Sequence, residues 1–275
     1  MRQTAAVSPQ PQIGNPSTMS NLPGIRAYVI NLERATKRWT NTQNIFTEAA
    51  ITFSRVPAID GKTLRWVPAE YSERWYRCLH GRETNPPEIG CYLSHLNALR
   101  AFLGTEAELA LICEDDLKFG PELVTLLSAA LEGRRFWNVL RLSGLSQGQP
   151  LKVRRLCGEY SLCINLGRIK GSGAYVIDRR AARVFTSRLL PMVIPYDHAI
   201  DREWFHGLTA ACIFPFPVIQ RQKRFGSEIQ TYAQPKLSPF RRWLTTYPYQ
   251  AFNEIMRCIC RGAFFLWVKQ RRSRV

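Results

Sequence analysis

Short apolar runs alternate along the chain with longer segments in which apolar residues recur every three or four positions. Residues 27–32 and 109–113 are the clearest runs, and the second holds five apolar residues without a charge. Runs this short are typical of strands buried on both faces inside an α/β sheet. The pattern therefore predicts a central sheet, with further strands at residues 52–56, 137–142, 152–164, 173–177 and 212–219.

Helical periodicity occupies the segments between these strands and predicts helices over residues 33–50, 88–103, 120–131 and 179–190. Residues 62–87 mix aromatic residues with prolines and charges at weak periodicity, which predicts an irregular insertion. The two prolines within residues 212–219 predict an edge strand, because proline cannot donate a ladder hydrogen bond.

Three acids follow the buried run at residues 109–113. Glu114, Asp115 and Asp116 would stand at the end of a strand, where open α/β sheets form their ligand crevice. Neighbouring carboxylates repel one another, so a cation is expected among them. Mg²⁺ and Mn²⁺ are hard ions that accept carboxylate oxygens. A solvated acidic turn is the structural alternative.

Other candidate residues each allow a structural interpretation as well. Arg34 and Arg38 lie near the start of the first predicted helix, where free N–H groups and basic side chains favour phosphate, but a solvated basic face explains them equally well. A helix beginning at Asp197 would place Asp201 on the same face, although Asp197 could simply cap the helix. His95 lies in the middle of a helix, where packing histidines are common.

The charge balance departs from that of an ordinary globular protein. The 275 residues include 38 Lys and Arg against 21 Asp and Glu, and the net charge of +17 attracts polyanions. The excess concentrates in the last third, which predicts a basic tail on an ordinary domain. Aromatic and basic residues mix from residue 239 onward, as suits an anionic bilayer surface, but a helix packed on the domain with a frayed basic end is the alternative.

Residue usage also predicts the layout of the chain. Residues 1–24 are rich in Ser, Pro, Gln and Thr, which predicts a disordered lead-in without a secretory signal. Eight cysteines without a C-x-x-C pair predict reduced residues in a cytosolic protein and no zinc site. The expected layout is this lead-in, a domain over residues 25–235, and a basic aromatic tail over residues 236–275.

Four segments, taken in order, resemble glycosyltransferase family 25, the bacterial lipopolysaccharide and lipooligosaccharide galactosyltransferases related to collagen galactosyltransferases. They are residues 28–38 (YVINLERATKR), 88–96 (EIGCYLSHL), 111–117 (LICEDDL), and 173–177 (GAYVI) with 195–201 (PYDHAID). The resemblance implies a GT-A-like α/β fold, a single nucleotide-sugar-binding domain with a mixed, mostly parallel central sheet flanked by helices. It also implies transfer of galactose from UDP-galactose to a lipopolysaccharide or lipooligosaccharide glycan, with inversion.

The same resemblance implies roles for individual residues. Glu114 and Asp116 would hold Mn²⁺ or Mg²⁺. Asp116 is the better candidate for direct contact with the metal, whereas Glu114 would contact either the metal or the ribose of the donor. Inversion requires a base opposite the leaving group. Asp197 is the first candidate for this base and Asp201 is the second. Either residue could instead bind the metal or the acceptor. The residues that would bind the donor are Asn31, Arg34, Arg38, Ser94, His95, Glu114 and Asp115.

Two other functions use the same features. A metal-dependent phosphohydrolase also employs clustered acids and a basic surface. A basic nucleic-acid-binding protein would explain the charge, but the sequence contains no recognised nucleic-acid motif, so nucleic acid is not expected as a partner. The expected location is the cytoplasm, peripheral on the cytoplasmic face of the inner membrane, with the basic tail on anionic lipid.

Overall fold

The computed structural model describes residues 12–13, 24–65, 69–220, 232 and 234–272. The predicted disordered lead-in falls almost wholly outside these residues and stays a prediction. Residues 221–231, which belong to the basic last third of the chain, also lie outside the described residues.

Within the described residues, most strands join one sheet. The strands are β1 (Gln12–Ile13), β2 (Ile25–Asn31), β3 (Phe53–Pro57), β4 (Leu109–Glu114), β5 (Leu117–Lys118), β6 (Val139–Arg141), β7 (Pro150–Arg155), β8 (Ser161–Asn165), β9 (Ala174–Asp178), β10 (Ala210–Phe214) and β11 (Ile219–Gln220). Nine of them follow the order β1-β3-β2-β4-β9-β6-β10-β8-β7, while β5 pairs with β11. The large sheet is mixed, and six strands run the same way: β2, β3, β4, β6, β7 and β10.

Helices cover both faces of this sheet. They are α1 (Thr36–Glu48), α2 (Glu73–His80), α3 (Pro86–Leu103), α4 (Glu122–Leu131), α5 (Arg179–Arg188), α6 (Tyr196–Ile200), α7 (Pro239–Leu244) and α8 (Thr246–Arg272). Successive residues of a strand point to opposite faces. Tyr28 of β2 accordingly packs with α3 and α5, whereas Val29 packs with α1 and α4. The predicted α/β class, with a mixed sheet between helices in which most strands run the same way, is confirmed.

Three local predictions are wrong. The insertion at residues 62–87 contains helix α2, which buries Tyr76 and ends at Gly81 in the left-handed conformation. Residues 152–164 form the hairpin β7–β8 instead of one strand. Strand β10 is interior, paired with β6 and β8, because Pro215 and Pro217 come after it ends and remove no ladder hydrogen bond.

Helix α8 packs along the domain. Its residues Asn253, Arg257, Arg261 and Val268 are buried. The described part of the chain contains no helix that is both long and apolar enough to cross a membrane. The boundary between a domain of residues 25–235 and a tail of residues 236–275 stays a prediction.

Candidate active site

The acidic cluster lies where β4 ends in the middle of the sheet. Glu114 is the last residue of β4, and Asp115 and Asp116 form the turn that follows. Strand β9 runs antiparallel to β4, so the segment leading into β9 lies beside the acids, and the N–H of Glu114 donates to the carbonyl of Gly173 at 2.8 Å. The apolar strand therefore fixes the acids on rigid backbone.

Two adjoining cavities open at these acids. The larger has a volume of about 400 Å³, and Asp197 is among its lining residues. The smaller has a volume of about 130 Å³ and is lined by Arg38, Ser94, His95 and Asp115, among others. Three residues line both cavities: Cys91, Glu114 and Asp116.

Glu114 is held by side-chain donors on three sides. Its carboxylate accepts hydrogen bonds from Ser172 Oγ at 2.8 Å and Gln220 Nε2 at 3.2 Å, and lies 3.3 Å from His95 Nε2. Burial raises the pKa of Glu114, but the hydrogen bond and charge of His95 and the hydrogen bond from Ser172 outweigh it, leaving the pKa lowered. Glu114 is thus an ionised carboxylate whose orientation the protein fixes.

Asp115 turns toward the end of β2. Its carboxylate accepts a hydrogen bond from Asn31 Nδ2 at 2.6 Å and one from Arg38 at 3.3 Å. Burial raises the pKa of Asp115 despite these donors. Asn31 therefore supports Asp115 instead of lining a cavity, while Arg38 does both. Arg34 lies outside the two linings and pairs with Asp60, a residue of the smaller cavity, at 2.9 Å.

Asp116 differs from its neighbours because one carboxylate oxygen is unsatisfied. In the described part of the chain, Asp116 Oδ1 is buried without a hydrogen-bond partner. Burial and the charges of Glu114 and Asp115 raise the pKa of Asp116 to about 7. A buried carboxylate in this state is costly unless a cation or a proton reaches it. The residues present therefore fit a hard divalent cation at Asp116.

A second set of potential metal ligands includes Glu114 and two residues of α3. Cys91 and His95 are four positions apart on α3, and their ligand atoms lie within 4.8 Å of each other and of a Glu114 oxygen. Burial raises the pKa of the Cys91 thiol well above its ordinary value. Thiol and imidazole ligands suit softer metals than Mg²⁺ or Mn²⁺. Cys91 was not predicted from the sequence, because Cys and His at this spacing indicate a site only once a third ligand is known to face them.

The N-terminal half of α3 forms a wall of the smaller cavity through a close backbone approach. A Cβ on Gly90 would lie 2.5 Å from the carbonyl oxygen of Ile59, so only glycine allows this contact. Ser94 Oγ then accepts a hydrogen bond from the N–H of Ile59 at 2.8 Å. His95 stacks on Tyr196 with ring centroids 4.2 Å apart and contacts Tyr175 through Nδ1 at 3.2 Å.

Asp197 lies on the far side of the larger cavity, in the first turn of α6. Its carboxylate accepts hydrogen bonds from the N–H of Gly171 at 2.9 Å and of His198 at 3.0 Å. Burial raises the pKa of Asp197, but the charge of His198, the Gly171 N–H and two arginines outweigh it and leave the pKa lowered. The expectation of a helix beginning at Asp197 was off by one residue, because α6 begins at Tyr196.

Asp201 does not join this site. It is buried beneath α8, where Arg257 and Arg261 each approach one carboxylate oxygen at 2.9 Å. Glu203 completes the cluster and pairs with Arg261 at 2.7 Å. Asp201 lines neither cavity, because α6 ends at Ile200 and does not continue the helical face that the sequence suggested.

Comparison with known proteins bears directly on this arrangement. The sequence model of glycosyltransferase family 25 (LPS biosynthesis protein) matches residues 25–200, which include β2, α3, β4 and α6. The chain belongs to glycosyltransferase family 25. The resemblance stated from four segments is confirmed.

Relatives of this family-25 chain include galactosyltransferases. A glycosyltransferase 25 family member of Aedes aegypti is 30% identical over 182 residues, covering 63% of this chain and 30% of the relative. Procollagen galactosyltransferase 1 of Danio rerio is 31% identical over 101 residues, covering 34% of this chain and 16% of the relative. The chain thus spans less than a third of the length of these relatives. A crystal structure of a glycosyltransferase involved in glycosylation of the major capsid of PBCV-1 aligns with a TM-score of 0.42 at 10% identity, covering 76% of this chain and 97% of that one.

The candidate site of this family-25 chain contains further polar residues that were not predicted from the sequence. Glu88 lines the larger cavity and accepts hydrogen bonds from Tyr76 and Asn85, and its burial raises its pKa. Ser172 and Gln220 hold Glu114 from loops far along the chain. Glu88 opens the second family segment and could have been found there. The other two carry no local signal.

Proposed function

We propose that the chain is a metal-dependent, inverting hexosyltransferase that moves galactose from UDP-galactose to a glycan acceptor. The observation that carries this proposal is the unsatisfied, buried oxygen of Asp116 at the junction of two cavities. One cavity is lined by donor-binding candidates and the other by Asp197. Galactose is favoured as the sugar because relatives at 29–31% identity are procollagen galactosyltransferases.

The donor's nucleotide would lie on the side of the smaller cavity. Arg38 offers a guanidinium there, at the edge of the carboxylate cluster, and Ser94 and His95 line the opposite wall. Backbone and side-chain contacts among these residues hold the wall rigid, as a preorganised site requires. The diphosphate would then reach the point where the two cavities meet.

Asp116 and Glu114 would hold Mn²⁺ or Mg²⁺ at that junction. Such an ion would supply positive charge against the diphosphate that leaves as the glycosidic bond breaks. Glu114 is already satisfied by protein donors, so Asp116 is the stronger candidate for direct contact. Asp115, held by Asn31 and Arg38, would position Arg38 for the donor.

Asp197 would act as the base that removes the proton of the acceptor hydroxyl. It faces the larger cavity, and two backbone N–H donors fix its carboxylate. Its lowered pKa keeps it ionised at neutral pH, which is the form that a general base requires. The buried ion pairs of Asp201 make that residue the weaker candidate.

The acceptor we propose is a lipopolysaccharide or lipooligosaccharide glycan, encountered at the cytoplasmic face of the inner membrane. The family description as an LPS biosynthesis protein and the strongly basic chain both favour an acceptor on an anionic membrane. The collagen acceptor in the names of some relatives is the competing possibility.

Thermal-shift measurement of nucleotide sugars with and without Mn²⁺ tests this function. A ligand that binds the folded state raises its apparent stability, so UDP-galactose with Mn²⁺ should raise the melting temperature more than either alone. Transfer of labelled galactose to lipooligosaccharide, with collagen peptide in parallel, then identifies the acceptor. Release of phosphate from simple esters without a sugar acceptor would point to a phosphohydrolase. A shift produced by nucleic acid, insensitive to changes at Glu114 and Asp116, would point to a nucleic-acid-binding protein.

A further inference from the structure

The C-terminal helix α8 has the reverse of the usual polarity. Surface helices of globular proteins bury an apolar face and expose a polar one. Helix α8 instead turns polar side chains toward the domain, where four of them are buried: Thr246, Asn253, Arg257 and Arg261. Arg261 makes a bidentate pair with Glu203 at 2.8 and 2.7 Å, and Arg257 pairs with Asp201 at 2.9 Å. These buried ion pairs fix the rotation of the helix about its axis.

The opposite side of α8 is apolar and faces solvent. It carries a line of large side chains that are 51–60% exposed, called here the outer stripe: Phe252, Ile255, Ile259 and Leu266. Their spacing of three, four and seven positions keeps them on one side of a helix with 3.6 residues per turn, over a length of about 21 Å. The charged residues between them face elsewhere, since Arg257 and Arg261 are buried and Glu254 pairs with Arg257 at 2.5 Å.

Both ends of the outer stripe are basic and aromatic. Beyond one end, the preceding helix α7 exposes Phe240, Trp243 and Leu244, and Arg242 lies over the ring of Tyr247 at 4.8 Å. Beyond the other end, the cations of Lys269 and Arg271 lie over the rings of Phe265 and Trp267 at 5.0 and 4.7 Å. Aromatic rings paired with cations suit the headgroup layer, where rings sit at the interface and cations meet phosphates.

We propose that the outer stripe docks on an anionic phospholipid surface, with α8 lying in the plane of the membrane and the domain above it. The apolar line would enter the boundary between headgroups and acyl chains, and the basic ends would meet lipid phosphates. A contiguous exposed apolar patch of this kind marks an interaction surface. The buried ion pairs hold the patch outward, so docking uses a rigid surface of the folded chain and needs neither donor nor metal.

Charge argues against a second copy of the chain as the occupant. Cations lie near both ends of the outer stripe, Arg242 at one end and Lys269 and Arg271 at the other. A second copy seated on the stripe would add its own cations to these, on a chain whose net charge is already +17, and bringing like charges together is destabilising. An anionic surface relieves the same charges.

Co-sedimentation of the full chain with lipid vesicles tests the proposal. Wild type should bind vesicles of phosphatidylcholine mixed with phosphatidylglycerol, bind phosphatidylcholine alone far more weakly, and lose affinity as salt rises. The triple variant Ile255→Ser/Ile259→Ser/Leu266→Ser should lose affinity by about tenfold or more. Ile219→Ser is the matched control, because Ile219 is equally exposed, at 62%, but lies outside the C-terminal helices.

The substituted side chains are exposed, so the triple variant should melt at the same temperature as wild type, which separates loss of docking from loss of fold. Equal vesicle binding by wild type and the triple variant would overturn the proposal, as would no binding by either. Sedimentation of wild type as a dimer that the triple variant abolishes, without vesicle binding, would assign the surface to a second copy instead. Failure of galactose transfer with vesicle binding intact would count against the proposed reaction alone.

Discussion

At the scale of single residues, the three neighbouring acids have three different environments. Glu114 is surrounded by donors, Asp115 is tied to Asn31 and Arg38, and Asp116 keeps one buried oxygen without a partner. The shared charge of the cluster is therefore unevenly compensated, and the deficit falls on Asp116. A divalent cation at Asp116, a residue that lines both cavities, would offset that deficit.

Replacing the proposed base separates chemistry from binding. Asp197→Asn should lower kcat by about 100-fold or more, because the amide cannot accept the proton, while affinity for the donor stays unchanged. Steady-state kinetics with a fluorescence measurement of donor binding provides both values. Asp201→Asn is the comparison: it should reduce stability through the cluster under α8 but leave kcat of the folded enzyme near wild type. The reverse pattern in the two variants would make Asp201 the base.

His80 links the larger cavity to stability in acid. Burial, then the positive charges of His198 and Arg82, lower the pKa of His80 from 6.5 to about 3. The unfolded chain binds this proton below about pH 6.5 and the folded chain does not, so the free energy of unfolding falls as pH drops through that range. His80→Gln should remove about 2 kcal/mol of this loss near pH 5. Urea titrations at pH 7 and pH 5 measure the difference, and parallel losses in both proteins would refute it.

At the scale of elements, the site depends on how closely α3 approaches the loop after β3. Gly90 makes room for the Ile59 carbonyl, and Ser94 then binds the Ile59 N–H, so one turn of α3 fixes the wall of the smaller cavity. The glycine in the EIGCYLSHL segment is thus explained by packing, and the serine four positions later by the same contact.

A methyl group at Gly90 should disturb this wall. Gly90→Ala should lower the free energy of unfolding by about 1–3 kcal/mol and weaken donor binding, because the Ile59 backbone has to move. Gly104→Ala, at the end of the same helix, is the control: its Cβ would meet nothing closer than 3.4 Å and should change stability by less than about 0.5 kcal/mol. Chemical denaturation and a donor titration measure both effects, and equal behaviour of the two variants would refute the packing argument.

The ion cluster under α8 holds the C-terminal helix to the domain. Burial alone would lower the pKa of Arg261, but the charges of Asp201 and Glu203 raise it, so the guanidinium remains charged. Arg261→Met leaves two buried carboxylates short of a cation and should cost about 3–5 kcal/mol of stability. Arg271→Met removes an exposed charge from the same helix and should cost less than about 0.5 kcal/mol. Denaturant unfolding of both variants measures the two losses of stability. A small loss of stability in Arg261→Met would show that the cluster contributes little to the free energy of unfolding.

Sequence patterns predicted the elements whose signals are local. The apolar run of β4 and the recurring apolar residues of α3 and α5 led directly to the right structures, because buried positions at the spacing of a strand or a helix can be read from consecutive residues. Helix α2 was missed because only Tyr76 of its eight residues is buried. Asp201 was grouped with Asp197 by helical spacing alone, and its true partners, Arg257 and Arg261, lie more than fifty positions away.

At the scale of the whole molecule, the exposed positive charge and the proposed active site lie in different parts of the fold. The acids gather where β4 ends in the sheet, whereas aromatic and basic residues gather on α7 and α8. The proposed docking surface and the proposed site are thus separate parts of one fold, and each can fail without the other. A lipid-linked acceptor would bring them together, since docking raises its effective concentration at the larger cavity.

The central claim is that Asp116 and Glu114 hold a divalent cation that in turn holds the donor's diphosphate. Electron paramagnetic resonance of Mn²⁺, titrated with protein in the presence and absence of UDP, tests it most directly. Wild type should bind Mn²⁺ more tightly when UDP is present, and Asp116→Asn should lose that gain, whereas Glu122→Gln, which alters an exposed acid on α4, should keep it. Equal binding of Mn²⁺ and UDP by wild type and Asp116→Asn would contradict the claim.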